Sequence, residues 1–190
     1  MMPLFRKILN DCLLKRWIGR FMLTLWLSFG LPLAHETARA DNTLEYQVKA
    51  AFIYNFIAFT QWPDNSDATI NLCLYGEDYF GQEIDKLQSR TVGTRPIKVS
   101  RISNPQQLVQ CQAVFFSKSV NDNLAELIPE LADKPILTLA DSSNAASRGV
   151  AINMSLINEK VIFEINLGVA RKAGLDISSK LLQLAIKVYQ

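Results

Sequence analysis

From Thr69 onward, short apolar runs alternate with helical stretches, and this rhythm restricts the fold more than any other feature of the chain. Thr69–Tyr75 (TINLCLY), Ile97–Ile102 (IKVSRI), Ala113–Ser117 and Pro135–Leu139 each have the length and composition of a strand. Between the first two lies a helical stretch, Asp78–Gln88, with Phe80, Ile84 and Leu87 spaced for one face. Asn104-Pro105 opens a short helix through Val109, with asparagine as cap and proline in the first turn. Asn121–Leu131 is a further helix carrying Leu124, Leu127, Ile128 and Leu131. Such alternation predicts an α/β three-layer sandwich, a mostly parallel sheet with helices on both faces. The rhythm then breaks. Val150–Leu156 and Lys160–Ile165 are strand runs joined by Ile157-Asn158-Glu159, so an antiparallel C-terminal hairpin is expected at the edge. Helices Leu167–Ala173, capped by Gly174, and Ser178–Val188 are expected to close the chain.

The first forty residues have a different character. Five cations precede Phe21, an apolar stretch runs from Phe21 to Leu33, and Ala38-Arg39-Ala40 supplies a small-x-small cleavage pattern. This is the layout of a secretory signal peptide, residues 1–40, with Asp41 as the new N-terminus. The apolar stretch is short of the roughly 20 residues a membrane span needs, and Gly30 and Pro32 interrupt it. The expected product is one domain, residues 41–190, outside the cytoplasm and not spanning the membrane. The head holds six basic side chains and two acidic ones, so the net charge of +2 becomes −2 without it. Nucleic acid loses its electrostatic motive as a partner.

The same cut narrows the chemistry. His35 is the one histidine and leaves with the signal, which excludes Ser-His-Asp triads, Cys-His dyads and histidine-ligated metals. No catalytic residue, metal ligand set or cofactor site is assigned. Cys12 leaves too, and the remaining Cys73 and Cys111, an even pair in an oxidising compartment, point to a disulfide worth about 4 kcal/mol. Two buried thiols in apolar strands are the alternative. No phosphate loop is present. Gly76-Glu77-Asp78 lies at the carboxyl end of the first strand, where open α/β sheets place ligands. Helix-initiating carboxylates are the plainer reading of that turn. Ser178-Ser179-Lys180 reads as a helix cap and first turn rather than a serine–lysine pair.

Thr43–Gln61 is expected to be a helix with two apolar faces. Leu44, Val48, Ala51, Phe52 and Phe59 form one, taken as the core face. Tyr46, Ala50, Ile53 and Ile57 form a second stripe on nearly the opposite side, and Lys49 is the only charge between Val48 and Asp64. A helix apolar on opposite sides is either central in the fold or half of an interface. If exposed, the Tyr46, Ala50, Ile53, Ile57 stripe with Trp62 makes a partner-contact surface.

Val48-Lys49-Ala50-Ala51-Phe52-Ile53-Tyr54-Asn55-Phe56, running on to Phe59, Trp62 and Pro63, resembles the opening signature of the YfiR-like periplasmic family. Phe163-Glu164-Ile165-Asn166, Ala170-Arg171-Lys172-Ala173-Gly174-Leu175 and Ile177-Ser178-Ser179-Lys180-Leu181-Leu182 resemble its far end, and Cys73 and Cys111 sit where relatives carry a cysteine pair. A second pair found in some relatives has no counterpart between Asp141 and Leu156. The resemblance implies a repressor rather than an enzyme. Its implied partner is the periplasmic domain of a membrane-anchored diguanylate cyclase, held inactive so that cyclic di-GMP and biofilm formation fall. A homodimer is a second association to consider. A periplasmic small-molecule binding protein, using the Gly76, Glu77, Asp78 edge, is the alternative function.

Overall fold

The computed structural model describes residues 37–63 and 68–190, with side chains from Thr43 onward. The signal peptide expected over residues 1–40 lies outside the described residues up to position 36. A long helix, α1 (Thr37–Ala58), is followed by a two-residue strand, β1 (Thr60–Gln61), and then β2 (Ile70–Tyr75). Next come α2 (Gln82–Asp85), β3 (Thr91–Val92), β4 (Arg95–Ile102), β5 (Ala113–Phe116), α3 (Leu124–Leu127) and β6 (Leu137–Ala140). The chain ends with β7 (Ile152–Ile157), β8 (Lys160–Asn166), α4 (Leu167–Lys172), β9 (Asp176–Ile177), α5 (Ser179–Leu182) and β10 (Lys187–Tyr189).

Eight strands form one mostly parallel sheet in the order β10-β8-β7-β6-β5-β2-β4-β3. The parallel series β4, β2, β5, β6, β7 is its centre, and β7 and β8 make the antiparallel hairpin. Asn158 and Glu159 turn that hairpin with positive φ of 49° and 62°, the geometry of a two-residue turn whose twist matches the strands. The sheet is buried on both sides because successive side chains alternate. Leu72, Leu74, Ala113, Phe115, Leu137 and Leu139 point into a core they share with α1, α4 and α5. Cys73, Val114, Phe116 and Ala140 point into a second core with Leu108, Leu124, Ile128 and Leu131. Helical segments thus cover both faces, the three-layer arrangement.

Several expected helices are shorter than their apolar spacing suggested. Asp78–Gln88 contracts to α2 followed by a 3-10 turn, Lys86–Ser89, while still burying Phe80, Ile84 and Leu87. The last helix stops at Leu182, and Lys187–Tyr189 becomes β10, parallel to β8 and outside the hairpin. Helix α1 ends at Ala58 rather than Gln61 because Thr60 and Gln61 pair with Ile177 and Asp176 of β9. The backbone N–H of Ser178 also donates to the carbonyl of Phe59, at 2.9 Å.

Candidate functional site

Helix α1 carries most of the residues expected to meet a partner, and its orientation is the reverse of the sequence expectation. Tyr46, Ala50, Ile53 and Ile57 are buried against the sheet, with Tyr46, Ile53 and Ile57 at 0% exposure. Leu44, Val48 and Phe59, from the face taken as core, are 61%, 37% and 36% exposed. Ala51 is exposed and Phe52 half-buried. The contact surface expected at Tyr46, Ala50, Ile53 and Ile57 is therefore corrected: these residues are core. The physical reason lies in what the sheet offers. Tyr46 meets Phe80 edge to face at 4.9 Å, Phe80 meets Phe115 at 4.9 Å, and Phe56 meets Phe163 at 5.0 Å. A row of aromatic rings thus receives the inner stripe. Trp62 is half-buried; its indole N–H donates to the Gln112 carbonyl at 3.2 Å, and the Arg95 guanidinium lies 5.4 Å from its ring.

A polar cluster sits at the carboxyl ends of β2, β5 and β6. The chain leaves β2 toward β4 on one side and returns to place β5 on the other, so this is the topological switch point of the sheet. Asp141, immediately after β6, has a fully buried side chain. One of its oxygens accepts from the backbone N–H of Lys118, at 2.9 Å. The other accepts from the Tyr46 hydroxyl at 2.7 Å and the Lys49 ammonium at 2.6 Å. Lys49 is itself 3% exposed, also reaches Glu45 at 2.5 Å, and lies 4.4 Å from the Tyr46 ring centre. A buried cation survives there because two carboxylates and a ring face replace its hydration. Burial first, and the Asp141 charge second, push the Tyr46 phenol well above its ordinary range. Tyr79 stacks on Tyr46 with ring centres 5.5 Å apart, and the Lys118 ammonium lies 4.5 Å from the Tyr79 ring centre.

The Gly76, Glu77, Asp78 turn borders this cluster, with each residue engaged inside the chain. Gly76 has φ +101°, and a Cβ there would lie 2.7 Å from Ser119 Oγ, so glycine is required twice over. The backbone N–H of Glu77 donates to that same Ser119 Oγ at 2.8 Å, and the Glu77 carboxylate accepts from the Tyr79 hydroxyl at 2.7 Å. Asp78 accepts from the N–H groups of Phe80 and Gly81 and from Arg101 Nε, while Arg101 also grips Asp85. Asp78 thus organises the turn that leads to α2, and Glu77 holds the Tyr79 hydroxyl. Asp141 carried no motif in the sequence; its sole signal is an acidic residue directly after an apolar strand.

Cys73 and Cys111 form a disulfide with Cα atoms 6.1 Å apart. It joins the middle of β2 to the residue capping the 3-10 turn before β5, inside the second core. Among the described residues no helix is long and apolar enough to cross a membrane, and no group of histidine, cysteine, aspartate or glutamate could hold a metal ion.

The family model described as YfiR/HmsC-like matches residues 46–186, from the buried tyrosine of α1 to the residue before β10. The chain belongs to the YfiR/HmsC-like family. The match takes in both cysteines, the switch-point cluster and the hairpin, so these are parts of the family domain. No curated protein matches the chain. Among solved structures, the ABC domain in complex with L-Trp from Streptococcus pneumonia is similar at 10% identity and TM-score 0.48. That likeness covers 75% of this chain and 61% of the other. A conserved domain protein from Vibrio cholerae O1 biovar El Tor is similar at 9% identity and TM-score 0.48, covering 75% and 60%. The chain thus spans about three fifths of the length of either structure.

Proposed function

We propose that this protein is an exported regulator, not an enzyme, that binds the periplasmic domain of a membrane-anchored diguanylate cyclase and holds it inactive. Cyclic di-GMP and biofilm formation fall as a result. The observation that carries the reading is the YfiR/HmsC-like match across residues 46–186. Two features of the residues support it. Histidine, the commonest acid–base catalyst, does not occur beyond His35. The outer face of α1 leaves Leu44 and Val48 exposed, with Phe59 exposed just past its end, in a helix whose other face is already satisfied. Apolar side chains on a firmly seated helix suit protein contact, because little ordering entropy is lost on binding.

Deleting the coding sequence is expected to raise cellular cyclic di-GMP, and the wild-type chain is expected to restore it. A Val48→Glu variant that is exported and melts like wild type is expected not to restore it. Deletion without change in cyclic di-GMP would remove the cyclase reading. Full restoration by Val48→Glu would move the contact surface off α1.

A further inference from the structure

We infer that one corner of the sheet, formed by the β7–β8 tip and the link between α5 and β10, is a docking face for an anionic lipid surface. Of the eight large apolar side chains that stand exposed among the described residues, four gather there: Leu156 and Ile157 at the tip, Leu184 and Ile186 in the link. Strand pairing brings them together. Leu156 lies opposite Val161 and Ile157 opposite Lys160 across the hairpin. The Ile186 N–H donates to the Phe163 carbonyl at 3.0 Å, which draws the link against β8. None of the four is needed inside. Leu181 already fills the core from α5 and Val188 packs on it from β10, while Leu184 and Ile186 remain 69% and 59% exposed. Single exposed leucines are ordinary, but a group of them at one edge marks a contact surface.

The charges select the kind of surface. Lys160 pairs with Ile157 at the tip, Lys187 follows Ile186, and Lys180 lies on α5 one turn before Leu184. All three are exposed, and none joins an ion pair among the described residues. The carboxylates of the corner are Glu159 and Glu164, and Glu164 accepts from the Tyr189 hydroxyl at 3.4 Å. From Leu156 onward the side chains carry five cations against three carboxylates, whereas residues 41–155 carry nine against thirteen. An anionic bilayer thus repels the acidic body and attracts the basic corner, so one charge distribution supplies both attraction and orientation. Aliphatic side chains enter the headgroup region while lysine stems lie along it and hold their ammonium groups at the phosphates, the two signals a peripheral attachment needs. A protein partner fits less well. The centres of protein interfaces are depleted in lysine and enriched in aromatic rings, and the exposed apolar residues of this corner are all aliphatic.

The docking face is tested without any protein partner, so its failure is separate from failure of the cyclase reading. The exported protein is sedimented at low salt with vesicles of phosphatidylcholine and phosphatidylglycerol, and with vesicles of phosphatidylcholine alone. Binding is expected with the anionic vesicles, and binding at least fivefold weaker with the neutral ones. Leu184→Ser/Ile186→Ser, melting like wild type by circular dichroism, is expected to bind the anionic vesicles at least fivefold more weakly. A lysine near a charged bilayer contributes about fivefold in partitioning, so Lys160→Gln/Lys187→Gln is expected to lose at least that much. Val109→Ser, which removes an exposed apolar side chain elsewhere, is expected to bind as wild type. Whatever the N-terminal residues contribute is common to every variant. The proposal is overturned by absence of binding to the anionic vesicles, by binding to the neutral ones within fivefold, or by an equal loss in Val109→Ser. A folded corner variant, apolar or lysine, that loses less than fivefold overturns it too. Self-association without vesicle binding, abolished by Leu184→Ser/Ile186→Ser, assigns the corner to a second copy and also overturns it. If Leu184→Ser/Ile186→Ser does not fold, Leu156→Ser/Ile157→Ser decides by the same threshold, and a second failure to fold makes the corner part of the core and overturns the docking face.

Discussion

Breaking the bridge between Cys73 and Cys111 releases a loop constraint between residues 38 apart in sequence. Chain entropy for such a loop amounts to roughly 13 cal/mol/K, or about 4 kcal/mol at 25 °C. The native state is expected to keep its geometry without the bond, because its neighbours are held independently. The Gln112 N–H donates to the Asn71 carbonyl at 3.0 Å, the Gln112 side chain accepts from the Asn71 N–H at 2.9 Å, and Leu72 pairs with Ala113. The cost therefore falls mainly on the unfolded side, as greater freedom for the reduced chain. For a domain near 150 residues it converts to a melting temperature lower by about 8–16 °C. Urea denaturation of oxidised protein, and of protein unfolded and refolded under a phosphine reductant, measures the difference by far-ultraviolet circular dichroism. The Cys73→Ala/Cys111→Ala variant should agree, apart from the small cavity left by two sulfur atoms. A difference under about 1.5 kcal/mol would refute the loop-entropy reasoning. Reduced protein already unfolded in water would refute the expectation that the two cores stand without the bridge.

Ile53 is wholly buried, so Ile53→Ala is expected to cost about 2–5 kcal/mol and Ile53→Glu to unfold the domain. A glutamate variant with wild-type melting would return that stripe to the surface. Because the Tyr46 phenol is raised in the folded state, its contribution is whole below about pH 10 and is lost as the pH climbs beyond it. Tyr46→Phe is therefore expected to flatten the alkaline fall in stability, and an equally steep fall in denaturant titrations would contradict this. Gly76→Ala, with φ +101° and a Cβ 2.7 Å from Ser119 Oγ, is expected to cost about 1–3 kcal/mol in the same titrations. An unchanged midpoint there would refute the strain. Mass spectrometry of the exported protein is expected to find Asp41 at the N-terminus, and an intact chain starting at Met1 would refute processing there.

The α/β class, the mostly parallel sheet and the hairpin were legible because they rest on local patterns: four apolar runs of strand length, a link of hairpin length at Ile157-Asn158-Glu159 and the caps at Asn104 and Ser178. The bridge was legible from counting cysteines. The lengths of α2 and the last helix were not, since the same apolar spacing serves a 3-10 turn or a short strand once tertiary contacts supply the hydrogen bonds. Nor was the seating of α1. Both its sides carry apolar residues in sequence, and a lone lysine beside one of them ordinarily marks the side turned to water. The groups that receive the inner face lie far along the chain: Phe80, Phe163 and Asp141, which follows β6 92 residues from Lys49 and gives it a buried counter-charge. Local patterning determines that α1 is a helix with two apolar faces. Which face is core depends on what the closed sheet sets beneath it, the rings of Phe80 and Phe163 and the counter-charge of Asp141.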